Sequence, residues 1–223
     1  QSYGIDAVNE FDHIFEDLYD YCETQELDVE NIEYIQADIL DLGMLNKTFD
    51  IVESAGVLVC LDDPFAGWKV LTDCLKFNGL MKVGSYSELA RQEVVRAREM
   101  IAERQISSNR EDMIQFRQEI IKDGNPILNN LKHSNDFYTT STLRDSLFHV
   151  KEHRFTIPQI KLMLNDLELT FVGFEFSNKD IPNLFKKTYS DEEAIYDLDK
   201  WHEFETLNPM TFASMYQFWL QKL

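Results

Sequence analysis

Three short apolar runs of the sequence each end at polar or small residues, where a strand can present groups to a ligand. The runs cover residues 32–37, 49–54 and 80–86, and their composition predicts β-strands. Asp38, the turn formed by Ser54, Ala55 and Gly56, and Ser85 stand at their carboxyl ends. Because open α/β sheets bind ligands beyond the carboxyl ends of their strands, we expect these residues to share one site.

A second group of reactive side chains lies in the string FYTTSTLRDSLFHVKEHRF, residues 137–155. His149 and His153 could transfer protons near neutral pH, and Arg144 could anchor an anionic substrate. Tyr138 is a further catalytic candidate. For each of the four residues, a packing or hydrogen-bonding role is the alternative, since a single His or Tyr on a helix is more often structural.

The same string contains the spelling HxxEH, formed by His149, Glu152 and His153. On a helix, the two imidazoles would lie on one face, as in the inverted zinc-protease motif. A pattern this short also arises by chance, so we predict no metal site. Zinc hydrolysis is the alternative that metal analysis would test.

About eighty residues separate the third apolar run from the next predicted strand, which is much longer than an ordinary αβ connection. The predicted helices cover residues 88–105, residues 111–122 and a segment that follows the Thr156 and Gln159 capping box as far as Asp166. The apolar stripe of the first helix consists of Leu89, Val95, Ile101 and Ala102. This connection should therefore form structure of its own.

Several strings together resemble class I S-adenosylmethionine-dependent methyltransferases, in particular a bacterial branch that is often fused to tetratricopeptide repeats. They are QADILDL, the run from FDIVESAG to SYSELARQ, FHVKEHRFTIPQIKLML, LTFVGFEF and KWHEFETLNPMTFASMYQFWLQKL. The likeness extends over nearly the whole chain. It implies a Rossmann-like α/β sheet with a helical insertion between its fifth and sixth strands. The sixth strand, 169–176, would pair with an antiparallel seventh, 215–222.

The resemblance also implies S-adenosylmethionine as the cofactor and assigns contacts with it. Asp6 would bond the ribose hydroxyls, and Asp38 would lie near the adenine with the backbone of Ile39 beside it. The small residues Ser54, Ala55 and Gly56 would let the backbone lie against the cofactor. The alternatives are solvated surface acids for Asp6 and Asp38, and a helix-approach glycine for Gly56.

Two turns depart from the pattern of that branch. Val59 and Cys60 stand where its members carry two histidines near the transferred methyl group, so any role of those imidazoles is lost. The turn before the strand at 80–86 reads Lys76, Phe77, Asn78, Gly79, where Asn78 can adopt the left-handed conformation that the usual glycine supplies.

The glycine-rich turn that follows the first strand in this family has no counterpart in the sequence. Gln1 to Asp6 resemble the end of the family's second strand. We therefore interpret the chain as an amino-terminally truncated fragment of a longer methyltransferase. A sheet without its first strand would expose backbone groups, which favours strand exchange or a homo-oligomer.

Composition limits the classes of partner. The formal charge of −19, from 21 basic and 40 acidic residues, argues against nucleic-acid binding, which usually requires a basic surface. Three cysteines without a CxxC pair are typical of a cytoplasmic protein, and no apolar run is long enough for a membrane span. We predict a single domain over 1–223, with the helical insertion at about 88–157.

Two functions follow from these observations. The first is a methyltransferase domain that acts on an unidentified small-molecule or protein acceptor, with the insertion deciding acceptor choice. The second is a noncatalytic interaction module that retains the scaffold, in which the insertion only packs on the sheet.

Overall fold

The computed structural model describes residues 35–122, 128–133, 137–176 and 178–223. The chain divides into two compact units, residues 1–38 and 39–223, and the second contains all the elements below. Of the strand predicted over 32–37, residues 35–37 are exposed and irregular, because an apolar run becomes a strand only where it has a pairing partner. Residues 32–34 and Asp6 lie outside the described residues.

The second unit is built on one mixed sheet. Its strands are β1 (Phe49–Ala55), β2 (Leu75–Ser87), β3 (Arg154–Phe155), β4 (Leu169–Phe174) and β5 (Tyr216–Lys222). The order is β1-β2-β5-β4, with β1 parallel to β2 and β5 antiparallel to both β2 and β4. The predicted α/β sheet with an antiparallel last strand is therefore confirmed.

The short strand β3 continues the edge of β2 that β1 leaves. The N–H of Gly56 donates to the Gly84 carbonyl at 3.1 Å, and the chain then turns away from β2. Two residues further along β2, Tyr86 aligns with Arg154 of β3, and the N–H of Glu88 donates to the Phe155 carbonyl at 2.9 Å. Alternate residues of a strand bond to the same side, so β1 and β3 share this edge.

Seven α-helices surround the sheet within the described residues. They are α1 (Pro64–Asp73), α2 (Gln92–Arg104), α3 (Arg110–Lys122), α4 (Thr140–Leu143), α5 (Ile157–Asp166), α6 (Asp180–Thr188) and α7 (Leu198–Leu207). A π-helical turn, Arg144–Phe148, continues α4. Short 3₁₀ turns cover Ile39–Leu45, Leu58–Cys60, Asn130–His133, Glu192–Tyr196 and Pro209–Phe212.

Local signals fix several helix starts. Asp63 caps α1, accepting from the N–H groups of Phe65 and Ala66, and Pro64 occupies the first turn, where no N–H is required. The predicted capping box is present at α5, where Thr156 and Gln159 bond reciprocally. The first predicted helix starts at residue 92 rather than 88, because Glu88 still bonds to β3.

Buried apolar side chains form two separate clusters. The sheet cluster includes Trp68, Trp201 and Phe218, each at most 1% exposed, and the rings of Phe185 and Trp201 stack at 3.7 Å. The helical cluster lies among α2, α3 and α4 and includes Met113 and Phe116. The long connection thus has a core of its own.

The predicted apolar face of the first helix differs from the observed one. Helix α2 buries Val94, Ala97 and Met100, whereas Leu89, Val95, Ile101 and Ala102 remain accessible. The reason is that α2 carries apolar residues on two faces, and the helical cluster packs on the one that spacing alone did not favour.

The turn at Asn78 has the predicted left-handed conformation, with φ at 63°. Pairing between β1 and β2 shifts there, since Phe49 aligns with Leu75 and Ile51 with Leu80. Residues 76–79 therefore bulge from the sheet, and Asn78 supplies the positive φ that the bulge requires.

None of the helices in the described parts of the chain combines the length and the apolar character needed to cross a bilayer.

The contact between β1 and β2 allows a direct test. A Cβ added to Gly84 would lie 2.9 Å from the Cα and Cβ of Ala55, so Gly84→Ala should lower the free energy of unfolding by about 1–3 kcal/mol. A Cβ at Gly43 would meet no atom within 4 Å, and Gly43→Ala should change it by less than about 1 kcal/mol. Urea denaturation of both variants measures the difference, and equal stabilities would contradict this account of the β1–β2 contact.

Candidate functional site

The carboxyl end of β1 presents open backbone. Gly56 has φ at +74°, and a Cβ built there would meet no atom within 4 Å. Ala55 is exposed, and Val57 is 48% exposed. A ligand could therefore lie directly against the backbone of residues 55–57. The predicted cofactor contact of Ser54, Ala55 and Gly56 stays a prediction.

Two buried hydroxyl groups near the same strand ends lack partners. The Oγ atoms of Ser54 and Ser85 are buried and make no hydrogen bond within the described part of the chain. Ser54 aligns with Val83, two residues before Ser85, so both hydroxyls lie on one face of the sheet. Unpaired buried hydroxyls are costly, and both retain the capacity to bond a polar group.

For the other predicted cofactor residues, contact with this turn stays a prediction. Ile39 begins a 3₁₀ turn and packs against the sheet cluster. Asp38 belongs to the first unit of the chain, and Asp6 lies outside the described residues.

Of the four catalytic candidates, two bond only within the helical segment in the contacts the structure defines. The Tyr138 hydroxyl donates to the Lys132 carbonyl at 2.8 Å, and Arg144 donates to the Ser108 carbonyl at 3.4 Å. His153 reaches the turn after β1, where its backbone N–H donates to the Val59 carbonyl at 2.8 Å. Its imidazole has no assigned partner at that turn.

The HxxEH pattern does not lie on a helix. Residues 149–153 are irregular because the π-helical turn ends at Phe148 and the chain then runs along the end of β2. His149 places Nδ1 2.6 Å from the carbonyl oxygen of Lys151. Across the described ranges, no three His, Cys, Asp or Glu side chains are grouped to hold a metal ion.

An arginine–glutamate network, which the sequence analysis missed, binds the 149–155 segment to the end of β2. Glu152, with a side chain 4% exposed, accepts from Arg91 at 2.7 and 3.2 Å and from Arg154 at 3.3 Å. Arg154 also bonds to Glu88 at 3.0 Å. The Arg91 guanidinium lies 3.8 Å from the centre of the Tyr86 ring, close enough for a cation–π contact.

A buried acid lies beside this network. Glu205, which is inaccessible to solvent, accepts hydrogen bonds from the Tyr216 hydroxyl at 2.8 Å and from Ser87 at 2.5 Å. Ser87 in turn accepts from the N–H of Ala90 at 3.0 Å. Burial raises the pKa values of Glu205 and Tyr216. The two hydroxyl bonds to Glu205 partly offset the rise for that carboxyl, whereas the nearby Glu205 raises the pKa of Tyr216 further. The network fixes the turn from β2 into α2.

Cys60 occupies one of the positions where the resembling branch has histidine. Its thiol donates to the Gly56 carbonyl at 3.6 Å. Burial raises the pKa of this thiol, and the nearby carboxylates of Glu152 and Asp145 raise it further. Cys60 is therefore a neutral thiol near pH 7 and a poor nucleophile.

A cavity of about 790 Å³ opens beyond the carboxyl end of β2. Its walls come from the sheet, from α2, from the helical segment and from the residues before β5, and they include Tyr86, Arg91, Phe137, Asp145, Met215 and Gln217. A cavity of about 870 Å³ lies beside Leu169 at the amino end of β4, which is the end of the sheet opposite the carboxyl end of β2. Only the first adjoins the candidate site.

Two solved structures share the fold of this chain. The chain is similar to the structure of PKMT2 from Rickettsia typhi, with a TM-score of 0.64 and 16% identity, over 91% of this chain and 40% of that one. PKMT2 in complex with AdoHcy gives a TM-score of 0.59 and 15% identity over the same shares. These similarities show that the chain has a Rossmann-like α/β fold, shared with PKMT2.

Sequence comparison gives a further relative. The uncharacterized protein syc1184_c of Synechococcus sp. is 25% identical over 192 residues, which are 81% of this chain and 46% of that protein. No family model matches the sequence. The chain therefore spans less than half the length of these relatives.

The buried acid predicts a pH dependence of stability. Because the pKa of Glu205 is raised in the folded state, its contribution to stability is complete below the pKa of an unfolded glutamate and is lost as pH rises through the folded pKa. The glutamine in Glu205→Gln cannot ionise, so this variant does not undergo the loss. The free energy of unfolding of Glu205→Gln, relative to that of the native chain, should therefore increase from about pH 4 to pH 7. Urea denaturation followed by circular dichroism measures the difference.

Two further variants complete this test. Glu205→Leu leaves the hydroxyls of Ser87 and Tyr216 unpaired and should cost about 1–3 kcal/mol for each. Glu203, on the same helix, is 55% exposed, and Glu203→Gln should show no such pH-dependent gain. A parallel pH dependence of the native chain and Glu205→Gln would refute the assignment.

The arginine–glutamate network predicts a large effect of one substitution. Glu152→Ala leaves Arg91 and Arg154 without their shared buried carboxylate and should lower the free energy of unfolding by about 3–5 kcal/mol. Glu99 forms an exposed pair with Arg96, and Glu99→Ala should cost less than about 1 kcal/mol. Thermal and urea unfolding compare the two, and similar losses would mean that the network contributes little.

Proposed function

We propose that this chain is part of an S-adenosylmethionine-dependent methyltransferase. The observation that carries the proposal is the methyltransferase fold, shared with a structure described in complex with AdoHcy, together with open backbone at the strand end where that fold binds its ligand. We further propose that residues 1–223 form one methyltransferase-like domain with a helical insertion at about 88–157.

The residues at the end of β1 fit such a cofactor. The backbone of Ala55 and Gly56 is open to close approach, and the unpaired hydroxyls of the buried Ser54 and Ser85 could bond polar groups or ordered water. Asp38 and Ile39 would contribute adenine contacts, and Asp6 would contribute ribose contacts. When bound, the cofactor supplies an activated methyl group, so the protein mainly has to align the acceptor with it.

The cavity of about 790 Å³ is the acceptor site in this proposal. It adjoins the strand ends, and the helical segment contributes Phe137 and Asp145 to its wall, which supports a role of the insertion in acceptor choice. A volume of this size is typical of a small-molecule site and would also admit a side chain of a protein acceptor. The charge of −19 argues against a nucleic-acid acceptor, and the cysteine pattern favours the cytoplasm.

The second candidate is a noncatalytic module that binds partners through the same scaffold. The neutral Cys60 thiol near the methyl-proximal turn and the structural bonds of Tyr138 and Arg144 favour it, because none of them supplies a base there. Under the methyltransferase hypothesis, His153 is the first residue to test, since its backbone already bonds to that turn. A base is needed only for an acceptor that arrives protonated.

Calorimetric titration with S-adenosylmethionine separates the two functions. It should be done on the natural protein that contains this sequence and on residues 1–223 alone, for which we expect weaker binding. Gly56→Val places a branched side chain at a positive φ and in the open space beside the backbone, and it should weaken binding at least about tenfold. Asp38→Ala should do the same by removing a charge-assisted hydrogen bond.

Gly43→Ala serves as the matched control, because its added methyl group meets no neighbouring atom. If the natural protein binds no S-adenosylmethionine, or if Gly56→Val and Asp38→Ala bind it as the unaltered protein does, the interaction module is the better account.

A further inference from the structure

Helix α2 has a second face that the protein core does not cover. Val94, Ala97 and Met100 are buried in the helical cluster. Val95, Arg98 and Ile101 follow at the same three-residue spacing on the adjacent face, and all three line a cavity of about 640 Å³. The sequence predicted an apolar stripe on this helix. In the structure, Val95 and Ile101 of that stripe line the cavity, and Arg98 lies between them.

The guanidinium of Arg98 is only partly satisfied within the described residues. Its Nη2 donates to the His149 carbonyl at 2.6 Å, whereas Nη1 is buried without a hydrogen bond, and Arg98 forms no ion pair within the described ranges. Glu152 attracts Arg98, but its oxygen atoms bond to Arg91 and Arg154 instead. A partly buried guanidinium with one unbonded nitrogen is costly, so an anion in the adjoining cavity would be stabilised.

The surrounding charges define what kind of anion would fit. Three guanidiniums, those of Arg91, Arg98 and Arg154, face the two carboxylates of Glu88 and Glu152, which leaves one net positive charge. Burial lowers the pKa of Arg98, attraction to Glu152 partly offsets this, and repulsion from Arg154 and Arg91 lowers the pKa further, although an arginine remains charged at neutral pH. One added negative charge therefore balances the cluster.

Part of the cavity wall is apolar and includes Val95, Ile101, Leu147 and Phe148. Arg154 and His149 also line the cavity. Glu99 lines it too, but this carboxylate is 54% exposed and pairs with Arg96 at 2.9 Å. The lining thus combines two arginines, of which Arg98 forms no ion pair within the described ranges, with aliphatic and aromatic surface.

We propose that this cavity binds an organic monoanion, namely a carboxylate attached to an apolar or aromatic group, with the carboxylate paired to Arg98. The inference is independent of the proposed function, because no residue of the cofactor site takes part. A phosphate dianion would exceed the available charge and would leave the apolar walls unused.

The experiment uses phenylacetate as the probe, titrated at low ionic strength into the 223-residue chain and into the natural protein that contains it. Phenethylamine and inorganic phosphate are tested in parallel, with binding followed by calorimetry and by ligand-observed NMR. Arg98→Met keeps the length of the side chain and removes its charge. Arg96→Met, on the same helix, is the matched control, since Arg96 pairs with exposed Glu99 and Glu103.

We expect saturable binding of phenylacetate that Arg98→Met weakens at least about tenfold and Arg96→Met leaves unchanged. Arg98→Met should also be at least as stable as the unaltered chain, because it removes an unpaired buried charge. The proposal is overturned if phenethylamine or phosphate binds as well as phenylacetate, if no binding occurs up to millimolar concentration, or if Arg98→Met binds normally. If a variant fails to fold, the binding of the three probes to the unaltered chain still tests the proposal.

Discussion

The backbone of β2 forms hydrogen bonds with three other strands, and these bonds determine where the functional residues lie. On one edge it pairs with β5, and on the other it pairs first with β1 and then with β3. Because β1 must leave at Gly56 before β3 can join at Tyr86, the chain is forced into an open turn at the carboxyl end of the sheet. The same change of partner brings the 149–155 segment against that turn.

Two buried acidic side chains in different surroundings hold this end of the sheet together. Glu205 is bonded by neutral hydroxyls and has a raised pKa, whereas Glu152 is surrounded by arginines. The first arrangement joins β2, α7 and β5, and the second joins β2, α2 and β3. Both end on the short stretch from Ser87 to Arg91, so the geometry of the cavity beyond the carboxyl end of β2 depends on a few polar bonds rather than on apolar packing alone.

The sequence allowed the strands around the site to be predicted because their apolar runs are short and end at polar or small residues. Phe49–Ala55 and Tyr216–Lys222 agree with prediction within one residue, and the Thr156 capping box marks α5 correctly. The two-residue strand β3 has no periodicity to detect. The pairing of Glu205 with Ser87, 118 residues apart, leaves no local pattern either.

The second α2 face shows a different limit of prediction. An apolar stripe indicates that a helix face is covered, but it does not indicate what covers it. Spacing selected Val95 and Ile101, and the fold buried Val94 and Met100 instead. Only the three-dimensional position of Arg98 shows that the uncovered face surrounds an unpaired charge.

The separation of the two hydrophobic clusters has a consequence for spectroscopy. All three tryptophans, Trp68, Trp201 and Trp219, lie on α1, α7 and β5, and the helical segment between β2 and α5 contains none. Tryptophan emission therefore reports on the sheet layer, while far-ultraviolet circular dichroism is dominated by the helices. If the helical segment opens at lower denaturant than the sheet, as separate cores allow, the two signals will not coincide. A melting curve recorded by fluorescence alone would then describe the sheet and leave the helical layer unseen.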